Sequence, residues 1–334
     1  MTHGKAVTTA AWWARNAHFQ TTLGRLGRRR QAVTWRREVL TTPDDDDLVL
    51  DHLDGPPSAP RVLLLHGLEG SSNSVYMLGL AGLVARAGWQ GTAINFRSCA
   101  RDPKRLSRWL PNRQPRLYHS GDTADLDFVV RTLAAREPSG TLYAAGVSLG
   151  GNVLLKWLGE QRARSRIEAA VTISVPYDLR MASHHLERGA GRFYASTFLK
   201  TLRAKALDLC KRFAGVASRL DPRRIASART FQAFDDAVTA PLHGFVNADA
   251  YYRRSSSIHY LEHIEVPVLC LGSSDDPFVP AEVLERASRR ASEDVELVTT
   301  LWGGHAAFIA GRWPWKPMYW AEERAISWLT SRPI

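Results

Sequence analysis

Ser148 lies within Gly146-Val147-Ser148-Leu149-Gly150, between an apolar run from Thr141 to Ala145 and a helix-like segment that starts near Asn152. G-x-S-x-G between a strand and a helix is the pattern of a nucleophile elbow. The turn strains the serine backbone, glycines leave room on either side, and the hydroxyl is held out over the end of a sheet. A serine hydroxyl is a poor nucleophile at neutral pH. It needs a base within hydrogen-bond reach, and the base needs an acid to fix its tautomer and stabilise its charged form. Both types occur downstream in that order. The pair Asp275-Asp276 follows an apolar run from Val266 to Leu271, and His305 follows the run from Val295 to Leu301, behind Gly303-Gly304. Upstream, the run from Arg61 to Leu65 ends in His66-Gly67-Leu68-Glu69-Gly70. Acyl transfer develops negative charge on a carbonyl oxygen, and backbone N–H groups aimed at that oxygen stabilise it. The donors expected here are those of Leu149, directly after the nucleophile, and Leu68, in the loop after the upstream strand.

Each piece has an ordinary reading of its own: a turn, a glycine loop, or a helix cap before Pro280. What distinguishes them is their joint order, each at the end of an apolar run. Other clusters are weaker. Asp44 to Asp47 reads as a hairpin tip between strands at 35–40 and 48–53, without the remaining spacing of a calcium loop. Asp122, Asp125 and Asp127 suit the positive end of a helix. His66 is read as a loop-fixing residue. No cofactor and no metal are expected.

These residues need a frame. Strands are expected at 61–65, 90–95, 141–146 and 168–174, with helices near 75–87, 121–137 and 150–161. Such alternation points to an α/β chain with a mostly parallel central sheet flanked by helices. Residues 1–60 form an N-terminal lead-in and hairpin packed on the core. The core proper covers 61–177 and 256–334. Between them, 178–255 breaks the alternation, shows helical periodicity over Leu199–Phe213, and reads as an inserted helical cap that sets substrate size.

The 334 residues carry a formal charge of +11. That excess permits weak association with an anionic membrane surface. The basic residues are mostly arginine, however, which a proteome bias explains as well, and no basic run is interleaved with aromatics as in a nucleic-acid module. No nucleic-acid partner is expected. Trp12, Trp13 and Phe19, beside Arg25, Arg28, Arg29 and Arg30, are read as packing on the core in preference to lying in a membrane interface. Cys99, Cys210 and Cys270 are odd in number and read as reduced thiols, which with the lack of a signal-like or spanning segment points to a cytoplasmic protein.

Beyond the motifs above, Asn16-Ala17-His18-Phe19-Gln20-Thr21, Asn95-Phe96-Arg97, Tyr118-His119-Ser120-Gly121, and the series Asp235, Gly244-Phe245, Tyr252, Pro267 and Asp275-Asp276 are shared with one family. The chain resembles the YheT-like branch of the α/β-hydrolases over nearly its whole length. The resemblance implies an α/β-hydrolase fold and a serine hydrolase acting on small-molecule esters, with Ser148, an aspartate and His305 as triad. Strands of this kind commonly end Gly-x-x-Asp-x-x-Val-Pro. Counting back from Val279-Pro280 selects Asp276, and counting forward from Gly272 selects Asp275. An extra residue in the Gly272 loop favours Asp276 and leaves Asp275 as a solvated or capping residue. Two departures stand out: Arg97-Ser98-Cys99 where relatives usually have Arg-Gly-Cys, and extra residues around Arg108–Pro115, placed near the mouth of the site. A thioesterase or amidase on the same triad, or a binding protein on a hydrolase scaffold, remain alternatives.

Overall fold

The structure, a computed structural model, describes residues 10–332. Residues 1–9 of the lead-in lie outside the described residues. Eight strands form the central sheet in the order β1-β2-β4-β3-β7-β8-β9-β10. They are β1 (Arg36–Thr41), β2 (Asp47–Leu53), β3 (Arg61–Leu65), β4 (Gln90–Asn95), β7 (Leu142–Val147), β8 (Ala169–Ile173), β9 (Val268–Ser273) and β10 (Val295–Thr300). From β4 to β10 every pairing is parallel. The β1–β2 hairpin adds antiparallel pairs at one edge. The short strands β5 (Arg101–Asp102) and β6 (Arg105–Trp109) form a separate ribbon, as do β11 (Ile309–Ala310) and β12 (Met318–Tyr319).

Strands buried on both faces read as continuous apolar runs, because successive side chains enter opposite cores. In β3, Leu63 and Leu65 join one core while Val62 and Leu64 join the other. In β9, Val268 and Cys270 face the first and Leu269 and Leu271 the second. Helices α3 (Ala124–Arg136), α4 (Leu149–Gln161) and α12 (Ala281–Arg290) cover the first core. Helices α2 (Val75–Arg86) and α13 (Trp320–Thr330) cover the second. The expected strands and helices of the sheet are present, with boundaries shifted by a few residues.

The chain between β8 and β9 is helical. It contains α5 (Leu179–Leu186), α6 (Gly191–Arg212), α7 (Ala214–Ala217), α8 (Pro222–Ser227), α9 (Phe231–Phe234), α10 (Ala240–His243) and α11 (Ala248–Ser255), with a π-type turn at Asp235–Thr239. Helix α6 is longer than its sequence periodicity implies. This segment has an apolar core of its own, in which Leu199, Leu202, Ala206 and Leu209 of α6 meet Ile225, Phe234 and Val238.

The lead-in contributes α1 (Ala17–Leu26), capped by the Asn16 side chain. Its packing is mixed. Ala11 and Ala14 are buried against Ala307 and Ile309, and Trp13 is partly buried there, whereas Trp12 is 65% and Phe19 46% exposed. The acidic hairpin tip is held by arginine. Arg97, 1% exposed, donates to Asp44 and Asp46 at 2.8 Å and to Asp125 at 2.7 Å. That bond holds the Asp44 carboxyl well below its ordinary value. Asp125 is thus an ion-pair partner more than a helix-end charge. Truncating one member of a buried ionic cluster strands the others and costs roughly 3–5 kcal/mol. Arg97→Met should lower the urea unfolding free energy by about that amount, and a change within experimental error would show that the carboxylates are solvated.

Candidate active site

The strand order reverses between β3 and β7. In open α/β sheets the crevice outside the C-terminal ends of strands at such a switch point is where ligands bind. Here β3 runs into His66-Gly67 and β7 runs into Ser148, side by side. Ser148 has φ 53° and ψ −120°, a region that L residues rarely occupy. Its N–H donates to the Ile173 carbonyl at 2.8 Å, locking the turn to β8. The flanking glycines are steric necessities. A Cβ on Gly150 would lie 2.5 Å from the Leu65 and His66 carbonyl oxygens, and one on Gly146 would lie 2.8 Å from the Gly150 oxygen.

Three side chains from separate loops form a line. Ser148 Oγ lies 3.0 Å from His305 Nε2. His305 Nδ1 lies 2.9 Å and 3.1 Å from the two carboxylate oxygens of Asp276. A carboxylate only accepts, so Nδ1 carries the proton and Nε2 is left to accept from the serine hydroxyl. The carboxylate is itself held: Asp276 Oδ1 accepts from the N–H groups of Phe278 at 2.8 Å and Val279 at 3.3 Å. The Phe278 ring stacks on the His305 ring with centroids 4.1 Å apart.

The histidine loop is tethered from four places. Asp275 Oδ1 accepts from the N–H groups of Gly303 at 2.9 Å and Gly304 at 3.0 Å. Asp275 is therefore neither solvated nor a helix cap. Adjacent side chains point apart, so one aspartate meets the imidazole and the other the backbone behind it. Thr21 Oγ1 accepts from the His305 N–H at 2.9 Å, and Gln20 Oε1 from the Ile309 N–H at 2.8 Å. Ser174 Oγ accepts from the Ala306 N–H at 2.9 Å. Sequence reasoning noted Gln20 and Thr21 only as part of a shared motif and had no signal for Ser174. Their role depends on contacts between residues more than a hundred positions apart.

On the other side, Leu68 and Leu149 both line the cavity in front of Ser148. Among the described residues neither N–H is taken by another protein group. A Cβ on Gly67 would lie 3.2 Å from Ser148 Cβ, so the loop after β3 runs directly past Ser148. His66 fixes that loop. Its Nδ1–H donates to the Gly67 carbonyl at 2.7 Å and its Nε2 accepts from the Phe96 N–H at 3.1 Å. Burial lowers its pKa to about 3, so the ring is neutral. Glu69, at φ 56°, is anchored as well. Its N–H donates to the Tyr118 hydroxyl at 2.7 Å, and its carboxylate accepts from Lys205 Nζ of α6 at 2.7 Å. The cavity has a volume of about 620 Å³ and draws its walls from both the sheet ends and the helical segment.

A family of proteins with the α/β-hydrolase fold matches residues 60–311. The chain is 36% identical over 321 residues to the Escherichia coli (strain K12) protein named Putative esterase YheT, which covers 95% of this chain and 91% of that one. The chain belongs to the YheT-like branch of the α/β-hydrolases. A more distant member, Phospholipase ABHD3 of Mus musculus, is 30% identical over 310 residues, covering 90% of this chain and 73% of its own. Among solved structures, the Pyrococcus furiosus esterase Pf2001 overlays with a TM-score of 0.56 at 16% identity, over 99% of this chain and 98% of that one, a likeness of fold.

The two departures from the branch are connected. Ser98 has φ 60°, the left-handed conformation that explains a glycine at this position in relatives. Its hydroxyl donates to the Asn112 side chain, which belongs to the extra residues. Asn112 also donates to Asp46 at 2.7 Å. The insertion thus braces the arginine–carboxylate cluster. None of Arg108–Pro115 lines the cavity, contrary to the placement expected from sequence.

His119 and His243 are also held neutral by burial, each with a pKa lowered to about 3 from 6.5. With His66 they bind protons more readily in the unfolded chain. Their stability contribution is present above about pH 6.5 and is lost as pH falls toward 3, at up to about 1.4 kcal/mol per pH unit for each. Urea unfolding free energies should therefore fall across that window, and His66→Gln should flatten the slope by up to one proton. An unchanged slope would show that His66 is charged in the native state.

Proposed function

We propose that this chain is a serine hydrolase that cleaves carboxylic esters through an acyl-enzyme on Ser148. The observation that carries the reading is the hydrogen-bonded line from Asp276 through His305 to Ser148, beside two unengaged backbone N–H groups. In this reading His305 Nε2 takes the serine proton as Oγ attacks the ester carbon. The oxyanion accepts from the N–H groups of Leu68 and Leu149, each worth about 3–4 kcal/mol by analogy with oxyanion-hole mutations. The intermediate collapses as His305 returns the proton to the departing alcohol. Water then enters, gives its proton to His305, attacks the acyl carbon and releases the acid. Asp276 remains a carboxylate and stabilises the imidazolium. The names of the YheT and ABHD3 relatives, an esterase and a phospholipase, support an ester of acyl or lipid-like character.

Residues 178–255 act as the cap over a core of 61–177 and 256–334. Phe193, Tyr194, Phe198 and Leu202 of α6 face the cavity and suit an acyl chain. A weak association of the mouth with an anionic membrane surface is supported by exposed Arg25, Arg29 and Arg30 beside exposed Leu26 and Phe193. No helix among the described residues is long and apolar enough to cross a membrane. Three free thiols support a reducing, cytoplasmic setting.

A fluorophosphonate probe should label the wild type and leave Ser148→Ala unlabelled; equal labelling of both would sink the proposal. Asp276→Asn should reduce kcat by about 10⁴-fold through the wrong tautomer, and Asp275→Asn should cost far less. If only Asp275→Asn loses turnover, the acid is misassigned. Thr21→Val should lower kcat by roughly tenfold or more with KM little changed, since small displacements of a catalytic group are costly. Thr21→Ser, which keeps the acceptor, should restore it, and failure of that rescue would show that Thr21 does not position the loop.

A further inference from the structure

Consecutive N–H groups in the loop after β3 meet different partners. The Gly67 N–H donates to the Tyr76 hydroxyl at 2.9 Å, and the Glu69 N–H donates to the Tyr118 hydroxyl at 2.7 Å. Among the described residues, the Leu68 N–H between them meets no protein acceptor.

This loop is a turn that needs to be held. It is closed by the Gly70 N–H, which donates to the Gly67 carbonyl at 3.0 Å, and its third residue, Glu69, has φ 56°. Positive φ at that position favours glycine or asparagine. A longer side chain persists there only where its surroundings over-determine it. Return of Glu69 to negative φ would rotate the Leu68–Glu69 peptide. A hydroxyl bonded to the Glu69 N–H opposes that rotation. The hydroxyl on the Gly67 N–H fixes the peptide between His66 and Gly67. The Gly67 carbonyl, which also accepts from His66 Nδ1–H at 2.7 Å, fixes the peptide that carries the Leu68 N–H.

Both hydroxyls are firmly placed. Tyr76 belongs to the first turn of α2, and a Cβ on Gly70 would lie 2.8 Å from its oxygen, so the hydroxyl sits inside the turn. The Tyr118 ring stacks on Phe96 with centroids 5.5 Å apart, and its hydroxyl donates to Glu69 Oε1 at 3.0 Å. Lys205 holds the same carboxylate oxygen. Burial raises the pKa of both phenols, so each oxygen keeps its hydrogen. Resting on the ester-hydrolase reading, we propose that Tyr76 and Tyr118 are positioning residues for acyl transfer: by taking the N–H on each side, they hold the turn in the form that leaves the Leu68 N–H free for the oxyanion.

Tyr76→Phe and Tyr118→Phe keep the ring and remove the acceptor. Turnover of p-nitrophenyl butyrate is measured per site that a fluorophosphonate probe fills at completion. Small displacements of a catalytic group are costly, so each variant should lose at least about tenfold in kcat with KM within about twofold of wild type. The second readout is an alkyl trifluoromethyl ketone. Ser148 Oγ adds to its carbonyl carbon, the serine proton passes to His305 Nε2, and the carbonyl oxygen becomes an oxyanion. Its inhibition constant should rise by the factor by which kcat/KM falls, because both report binding of the transition state. A merely structural tie would lower the labelled fraction alone. If kcat per labelled site or the inhibition constant is unchanged, the proposal is overturned, as it is if neither variant folds. A raised KM at unchanged kcat also overturns it, since the hydroxyls would then contact substrate. A wild type that neither labels nor hydrolyses the ester overturns the hydrolase reading itself.

Discussion

The left-handed backbone of Ser148 is the constraint around which the molecule is arranged. At φ 53° the chain leaves β7 and enters α4 within one residue. That turn is possible only where neighbouring backbones approach without side chains, at Gly146 and Gly150. It also requires β7 to be flanked on both sides, by β3 and β8, so that the strain is over-determined by ladder bonds. The hydroxyl consequently projects at the switch point of the sheet. The loop after β3 passes it at contact distance.

Opposite Ser148, the histidine loop has little regular structure of its own. It is held by side chains that accept its backbone N–H groups: Asp275 after β9, Ser174 after β8, and Gln20 and Thr21 from α1. Side-chain acceptors of this kind satisfy buried donors that no ladder reaches. They also explain why the lead-in is integral to the site. Two histidines in neighbouring loops divide their labour by environment. His66 is fully buried, bonded on both nitrogens to backbone and neutral, so it fixes a loop. His305 is bonded to a carboxylate on one side and a hydroxyl on the other, which is the arrangement a proton carrier needs.

The helical segment between β8 and β9 reaches the site by a buried ion pair. Lys205 on α6 meets Glu69, two residues beyond Gly67, with side chains 2% and 6% exposed. Buried pairs are weak contributors to net stability but strongly directional, since either partner alone would be stranded. The pair thus couples the placement of α6 to the loop that carries Leu68. The same helix therefore lines the cavity and fixes the loop after β3.

Much of the frame was legible in the sequence, because it rests on local rules. Apolar runs of five or six residues marked the doubly buried strands, and Gly-x-Ser-x-Gly marked a turn that only glycines permit. Chain order placed Ser148, an aspartate and His305 at successive strand ends. The division of roles between Asp275 and Asp276 rested on counting, and geometry separates them because adjacent side chains diverge. The sequence marked Asp44–Asp47 as a hairpin tip, but not that buried Arg97 pairs with Asp44 and Asp46 to anchor it. The extra residues around Asn112 were expected at the mouth and instead brace that anchor. Gln20, Thr21, Ser174 and Lys205 carried no readable role, since each acts on a loop distant in sequence. The sequence alone determined which strands end in reactive residues, through patterning and steric rules that act within a few positions. Only the tertiary structure decided what holds those residues in register, because hydrogen bonds to a loop's backbone depend on where the chain returns and leave no periodic trace.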